Sequence, residues 1–394
     1  MAEDWRFWQR WGKEPAKPPT ISWSLGPGAF LSYDELQQHR EQLPQDLQAV
    51  LSLAPLPAGS DLFVLHQEAR QQLQQALERW QAGAATNIVL FGPDGIGKTS
   101  LLNQLEADVE HAVLVRRLCL SKRIRSETEL LRYMAQVFDL GECHDLPDLC
   151  ERLAKVTPQV VLLDNAALLH LRAMGSASVL RVLWRIMLAA RQLAWVHVWP
   201  EQTWRRVRLQ WQLDALVSQD VLLDWPAQAE FLAALEQRFA RLKKHGRDLW
   251  WQDAEGEAAR PFDAQREGLT ALYQPCQGNF FSAVYAALCA LHKDLDGRVW
   301  LRGFRIPEQV DLRSADARTR LTVAEVMAHG SLTAAEHAQI FQLSRDASNW
   351  LLSTLRAKQW LISDSQDDGV DVFRINPLFA RSLLVALRSS NALY

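Results

Sequence analysis

The sequence predicts an α/β fold: a P-loop parallel sheet sandwiched by helices, followed by a helical lid and a C-terminal winged helix-turn-helix. Three observations carry this. Short apolar runs alternate with amphipathic stretches between residues 88 and 223, the pattern of parallel strands joined by crossover helices. FGPDGIGKTS, residues 91 to 100, sets a glycine-rich turn between one such run and the next amphipathic stretch. The last segment, about 321 to 394, reads as three short helices followed by a hairpin.

Taken in order, residues 1 to 60 read as an irregular leader rich in tryptophan and proline. Trp5, Trp8 and Trp11 recur every three residues and share one face if that stretch is helical. Such a face either packs on the chain's own body or serves as an anchor for a partner protein, self-assembly or a membrane surface. Residues 61 to 225 form the expected nucleotide-binding domain. It opens with a helix over 61 to 83, whose Leu65, Ala69, Leu73, Leu77 and Trp80 are spaced for one buried face. Strands are expected at Ile88 to Phe91, Ala112 to Leu120, Val160 to Leu163, Trp195 to Trp199 and Val221 to Leu223. Helices are expected from about Lys98, at Glu127 to Leu140 and at Val179 to Leu193.

Residues 226 to 295 read as a helical lid. One amphipathic helix is carried by QAEFLAALEQRFARL, and two more are expected at Asp263 to Tyr273 and Asn279 to His292, with the charged GRDLWWQDAEGEAARP between them as a loop. Residues 296 to 320 read as a linker. In the final module Gly330 closes one helix, Thr333 and Glu336 form a capping box, and Ser344 caps the third helix. Asp368-Gly369 suits a tight hairpin turn. A winged helix can lay its third helix in a DNA groove. Arg345, Ser348, Asn349, Ser353 and Arg356 are its candidate contacts, with Arg374 in the hairpin and Arg302, Arg305, Arg313, Arg318 and Arg320 before it. The acidic tip SQDD opposes a phosphate backbone. DNA contact and protein contact both stay open.

Composition narrows the class. With 394 residues, two or three domains are expected. The net charge of −3 removes any chain-wide basic field. Five cysteines, an odd number, fit a reducing cytoplasm better than a disulfide framework, and Cys143, His144 and Cys150 lack the spacing of a zinc site. The N-terminus lacks the apolar core of a signal peptide, and no apolar run reaches the roughly 18 residues of a membrane span. A cytoplasmic protein with no transmembrane segment is expected.

Gly92, Gly97, Lys98 and Thr99 complete the pattern GxxxxGK[ST] in the strand–turn–helix context that the pattern requires. The chemistry explains the residue types. Backbone N–H groups of Gly92, Pro93–Asp94–Gly95, Ile96 and Gly97 can turn inward around phosphate oxygens wherever a donor exists, and the helix N-terminus adds its positive end. Lys98 reaches the β- and γ-phosphates, the Thr99 hydroxyl ligates magnesium, and Ser100 follows in the first turn. Asp164, at the end of Val160 to Leu163, is the candidate for the second magnesium contact, held through water. Asn165 stands next to it, where water attack on the γ-phosphate would need a carboxylate or glutamine. An amide can bond a water but cannot take its proton, and general-base help is worth about 10² to 10⁴ in rate. Slow hydrolysis follows unless Asp94, His170 or Glu201 substitutes.

Together these residues resemble the AAA-type P-loop ATPases, in the branch shared by origin-recognition-complex-like proteins, transposition-regulator ATPases and signal-transducing STAND ATPases. The resemblance spans about residues 55 to 390. It rests on ALERWQAG before NIVLFGPDGIGKTSLL, on VVLLDN, on AWVHVWPEQTW and on LTALYQPCQGNFFSAVYAAL ahead of the winged helix. It implies bound ATP and magnesium, and a DNA-associated loader or regulator, or a switch that binds a protein partner instead. Two departures stand out: Asn165 replaces the family's glutamate, and Phe280 and Phe281 replace its lid arginine. They bear on turnover, not on ATP binding. Arg205 and Arg206 are candidate sensor or finger arginines.

Overall fold

The computed structural model describes residues 31–109, 113–173, 177–244, 249–252, 260–261, 268–293, 299–302, 310–365 and 369–393. Trp5, Trp8, Trp11, Arg305 and the acidic tip at 366–368 lie outside the described residues. The chain divides into two compact units.

The larger unit holds Ala54–Ala227, Asn279–Phe281 and Glu308–Tyr394. Its center is a sheet of five strands: β1 (Asn87–Gly92), β2 (Val115–Cys119), β3 (Gln159–Asp164), β4 (Leu193–Pro200) and β5 (Gln219–Leu222). Their order is β2-β3-β4-β1-β5 and every pairing is parallel. The reason is visible in the strands, which are apolar on both faces. Val89, Phe91, Val161, Leu163, Leu193, Trp195 and Trp199 enter one core; Ile88, Leu90, Val160, Leu162, Ala194, Val196 and Val198 enter the other. Strand side chains alternate, so both faces need helices. Glu127–Val137, Leu146–Leu153 and Ala177–Ala189 cover the first, Gln67–Gln81 and Lys98–Val109 the second.

All five expected strands form within a few residues of their predicted bounds. The Leu146–Leu153 and Glu201–Trp211 helices were not predicted as helices by periodicity. The first is a short helix capped by Asp145, with Pro147 in its first turn, signals readable only once its ends are known.

The smaller unit comprises the described residues up to Leu53, then Gln228–Gly278 and Ser282–Pro307. Part of the stretch read as an irregular leader is helical, over Tyr33–Glu41 and Gln45–Val50, the first held by a Ser32–Glu35 capping box. The Gln228–Lys244, Gly268–Cys276 and Phe280–Ala290 helices occupy the expected lid. The charged insert read as a loop instead contributes β6 (Leu249–Gln252) and β7 (Arg260–Pro261), the end of the expected Asn279 to His292 helix becomes β8 (Leu291–Lys293), and the expected linker contributes β9 (Val299–Arg302). They form a sheet of order β7-β6-β9-β8. Tryptophan and leucine give LWWQ and VWLR strand propensity, which their charged neighbours hide in any wider window.

The C-terminal segment of the larger unit runs Ala317–His329, β10 (Leu332–Thr333), Ala334–Phe341, Arg345–Ala357, β11 (Leu361–Ser365), β12 (Asp371–Ile375) and Ala380–Ser389. The first helix starts inside the expected linker, capped by Asp316. The antiparallel β11–β12 pair places Ser365 opposite Asp371, and β10 adds a third strand beside β12. The predicted capping box and the Ser344 cap are both formed. Among the described residues no helix is long and apolar enough to cross a membrane.

Candidate functional site

The glycine-rich loop leaves β1 at Gly92. A Cβ there would stand 2.5 Å from the Leu223 carbonyl oxygen, so the strand end has room only for glycine. Gly95 and Gly97 sit at φ +79° and +103°, the left-handed side that turns successive N–H groups into a concave nest. Pro93 and Ile96 are buried, Asp94 is half-buried, and the loop delivers the chain into the Lys98–Val109 helix. His66 braces the loop from below, its ring nitrogen 2.9 Å from Ile96 O. Ser100 is engaged structurally, its hydroxyl accepting from Leu56 N at 3.0 Å. Thr99 is half-buried in the helix's first turn.

Lys98 folds back over this loop. Its Nζ donates to Gly92 O at 2.9 Å and Pro93 O at 2.7 Å, with the Asp94 carboxylate 3.5 Å away. Burial draws its pKa down, and Asp94 opposes that shift. A buried ammonium satisfied by two carbonyls and a carboxylate is ready to exchange those partners for stronger anionic ones.

Strand order puts β4 between β1 and β3, so Asp164 reaches the same sheet edge as the loop. Its side chain is 7% exposed. Both carboxylate oxygens are engaged: Oδ1 accepts from Asn165 N at 2.9 Å and Oδ2 from Arg117 at 3.0 Å. Arg117, on β2, also donates to Asn103 Oδ1 at 2.7 Å and Glu106 Oε2 at 3.1 Å. The residue expected to face a magnesium ion therefore faces a guanidinium. Arg117 was missed as a site residue. Its signal was two consecutive arginines, Arg116 and Arg117, inside an otherwise apolar predicted strand.

Asn165 is exposed and left-handed, at φ 57° and ψ 37°, with Nδ2 3.4 Å from Leu120 O. Of the three candidate substitutes for its missing carboxylate, one stays in the loop and two are held by other contacts. Asp94 lies by Lys98. His170 is buried and stacked on His329 at 5.5 Å, and burial pushes it down from 6.5 to about 4. Glu201 pairs with Arg205 at 2.9 Å and Arg388 at 3.0 Å. Arg206 is bound bidentately to Glu325, at 2.9 and 3.1 Å. The two candidate sensor arginines thus serve ion pairs here.

The C-terminal segment approaches the loop directly. A Cβ on Gly95 would lie 3.1 Å from Pro377, and Asn279 Nδ2 donates to Pro377 O at 2.8 Å. A cavity between them is lined by Pro93, Asp94, Glu201, Met327, Ile375 and Leu384, among others. On the Arg345–Ala357 helix, Arg345, Asn349, Ser353 and Arg356 are exposed, beside Trp350 at 70% exposure. Ser348 is not a surface residue: it is fully buried and hydrogen-bonded to His337 at 3.0 Å, because it faces the neighbouring helix. Arg374 pairs with Asp364 at 2.8 Å, and Arg313 with Asp311 at 3.0 Å.

No family model matches the chain. A curated protein, the NACHT domain- and WD repeat-containing protein 1 of Mus musculus, is 39% identical over 95 residues, which is 23% of this chain and 6% of that protein. The chain thus spans a small fraction of its length. Among solved structures, the ORC2 protein of Aeropyrum pernix, in its ADPNP-ADP complexes, is similar over 88% of this chain and 98% of its own, with 14% identity and a TM-score of 0.46. Cdc6p from Pyrobaculum aerophilum covers 87% and 98%, with 15% identity and a TM-score of 0.46. The Aeropyrum pernix ORC1 protein in complex with DNA covers 88% and 96%, with 14% identity and a TM-score of 0.43. At such scores the chemistry is argued from the residues alone.

Proposed function

We propose that this chain is an ATP-binding switch with slow or conditional hydrolysis. One observation carries the reading: a glycine nest opening a helix, with the Lys98 ammonium held on loop carbonyls at 2.7 and 2.9 Å, is built to receive a polyphosphate. Lys98 would leave those carbonyls for the β- and γ-phosphate oxygens, and the N–H groups from Asp94 to Thr99 would donate to the same anion. Slow turnover follows from Asn165, which cannot take a proton, from the burial of His170 against His329, and from the pairing of Glu201 with Arg205 and Arg388. Thr99 is the loop residue whose hydroxyl magnesium would use, while Asp164, expected to hold the ion through water, is paired with Arg117. Pro377, beside Gly95, offers a short route from nucleotide state to the C-terminal segment, which we read as a winged helix.

The output has two readings. Exposed Arg345, Asn349 and Arg356 on one helix support duplex DNA. Exposed Trp350 on the same helix, with Arg374 neutralised by Asp364, supports a protein partner.

The test is calorimetric titration of ATP into the full chain and its Lys98→Ala variant, with single-turnover hydrolysis in the presence and absence of duplex DNA. Lys98→Ala is expected to weaken binding by about tenfold or more, the loss of a charge-assisted contact. Hydrolysis is expected to stay slow in both conditions. Fast turnover that needs Lys98 would refute the slow-switch reading. Arg345→Ala with Arg356→Ala decides the output: loss of salt-dependent DNA binding supports DNA, and unchanged binding refutes that face as the DNA contact.

A further inference from the structure

The pairing of Arg117 with Asp164 bears on how the proposed nucleotide site balances its charge, and the inference rests on that nucleotide-binding reading. Asp164 is buried at the sheet edge where a divalent cation is expected, yet both its oxygens already accept hydrogen bonds. One comes from the backbone and fixes the carboxylate's orientation. The other comes from a guanidinium, which keeps its charge at every accessible pH. Arg117 is itself 20% exposed and gripped from three sides by Asn103, Glu106 and Asp164. A cation held by Asp164, directly or through a water, would have to displace this arrangement or sit near the like charge of Arg117. The residues therefore do not fit a magnesium ion held by Asp164, even through an intervening water.

We propose that Arg117 is the resident counter-ion of Asp164, and that the site therefore holds nucleotide without needing a divalent cation. Lys98 and the loop N–H groups supply the anion contacts. Asp164 and Glu106 hold Arg117 rather than a metal.

The experiment titrates ATP, in MgCl₂ and separately in EDTA, into the full chain and into Arg117→Ala, Asp164→Asn and Lys98→Ala variants. The full chain is expected to bind ATP equally well in both buffers, within about twofold. Arg117→Ala bares a buried carboxylate, so magnesium is expected to tighten binding there by about tenfold or more. Asp164→Asn is expected to remain indifferent to magnesium, since Glu106 still holds Arg117. Circular dichroism checks that each variant is folded; if Arg117→Ala is not, the full chain and Asp164→Asn decide the matter. Binding by the full chain that is more than a few-fold tighter in magnesium would overturn the proposal while leaving nucleotide binding intact, and loss of that gain in Asp164→Asn would place the ion at Asp164. No binding in either buffer, or binding indifferent to Lys98→Ala, would instead remove the nucleotide reading and this inference with it.

Discussion

Asn165 follows β3 in the left-handed region, at φ 57° and ψ 37°. Asparagine visits that region readily, and a longer side chain pays roughly 1 kcal/mol to do so. The residue proposed to slow hydrolysis is thus also one that suits the backbone. Asn165→Glu is expected to lower unfolding free energy by about 1 kcal/mol, and Asn165→Gly to leave it nearly unchanged, both read from denaturant midpoints. Equal stability of the Glu variant and the natural chain would refute the backbone argument. At Gly92 the constraint is steric. A Cβ 2.5 Å from Leu223 O forces the loop exit to shift, and Gly92→Ala is expected to cost about 1–3 kcal/mol by the same measurement. The loop was legible in the sequence because its chemistry is contiguous: glycines, lysine and threonine fall within eight residues, Gly92 to Thr99. Arg117 was not, because its partner lies 47 residues away and meets it only through the order of strands.

Single elements were legible where their ends carry local signals. The Ala334–Phe341 helix is announced by its capping box and the Arg345–Ala357 helix by Ser344. The strands of the parallel sheet were legible as apolar runs, but their order was not, since periodicity says nothing of neighbours. β6 to β9 were lost among charges. The Ala317–His329 helix shows competing forces at its last turn. Its C-terminal dipole favours a charged His329 by about 0.3–2 kcal/mol, and Glu325 pulls the same way, yet burial wins and pushes the imidazole from 6.5 to about 3. His170, stacked on it, is pushed to about 4. Both stay neutral when folded and gain protons when unfolded. The unfolded chain therefore binds more protons below about pH 6.5, so stability is complete above that pH and declines as pH falls toward 4. At pH 5 each imidazole is expected to cost about 2 kcal/mol relative to pH 7. Denaturation curves at the two pH values test this: His329→Gln should remove its share of the pH dependence, and an unchanged profile would refute the assignment.

At the scale of the molecule, the larger unit joins sequence segments far apart, the parallel sheet and the C-terminal helices, by buried charge as well as apolar contact. Arg123 bonds Glu336 at 2.9 Å and also donates to the carbonyls of Ala167, His170 and Ser331. Glu336 is 4% exposed and doubles as the capping-box residue of its helix. Glu325 collects Arg172 and Arg206, and Thr203 donates to Ala328 O at 2.7 Å. An exposed pair such as Arg313–Asp311, 86% and 55% exposed, contributes at most about 1 kcal/mol. The Arg123 pair differs because desolvation makes each half costly alone. Glu336→Gln leaves a buried guanidinium without its counter-ion, and is expected to lower unfolding free energy by about 3 kcal/mol or more. Adding Arg123→Met to it removes the stranded charge, so the double variant should recover much of that loss, although the carbonyl contacts of Arg123 go with it. Chemical denaturation of the two variants beside the natural chain gives the comparison. A double variant no more stable than Glu336→Gln would show that the carbonyl contacts, and not the ion pair, bind the C-terminal helices to the sheet.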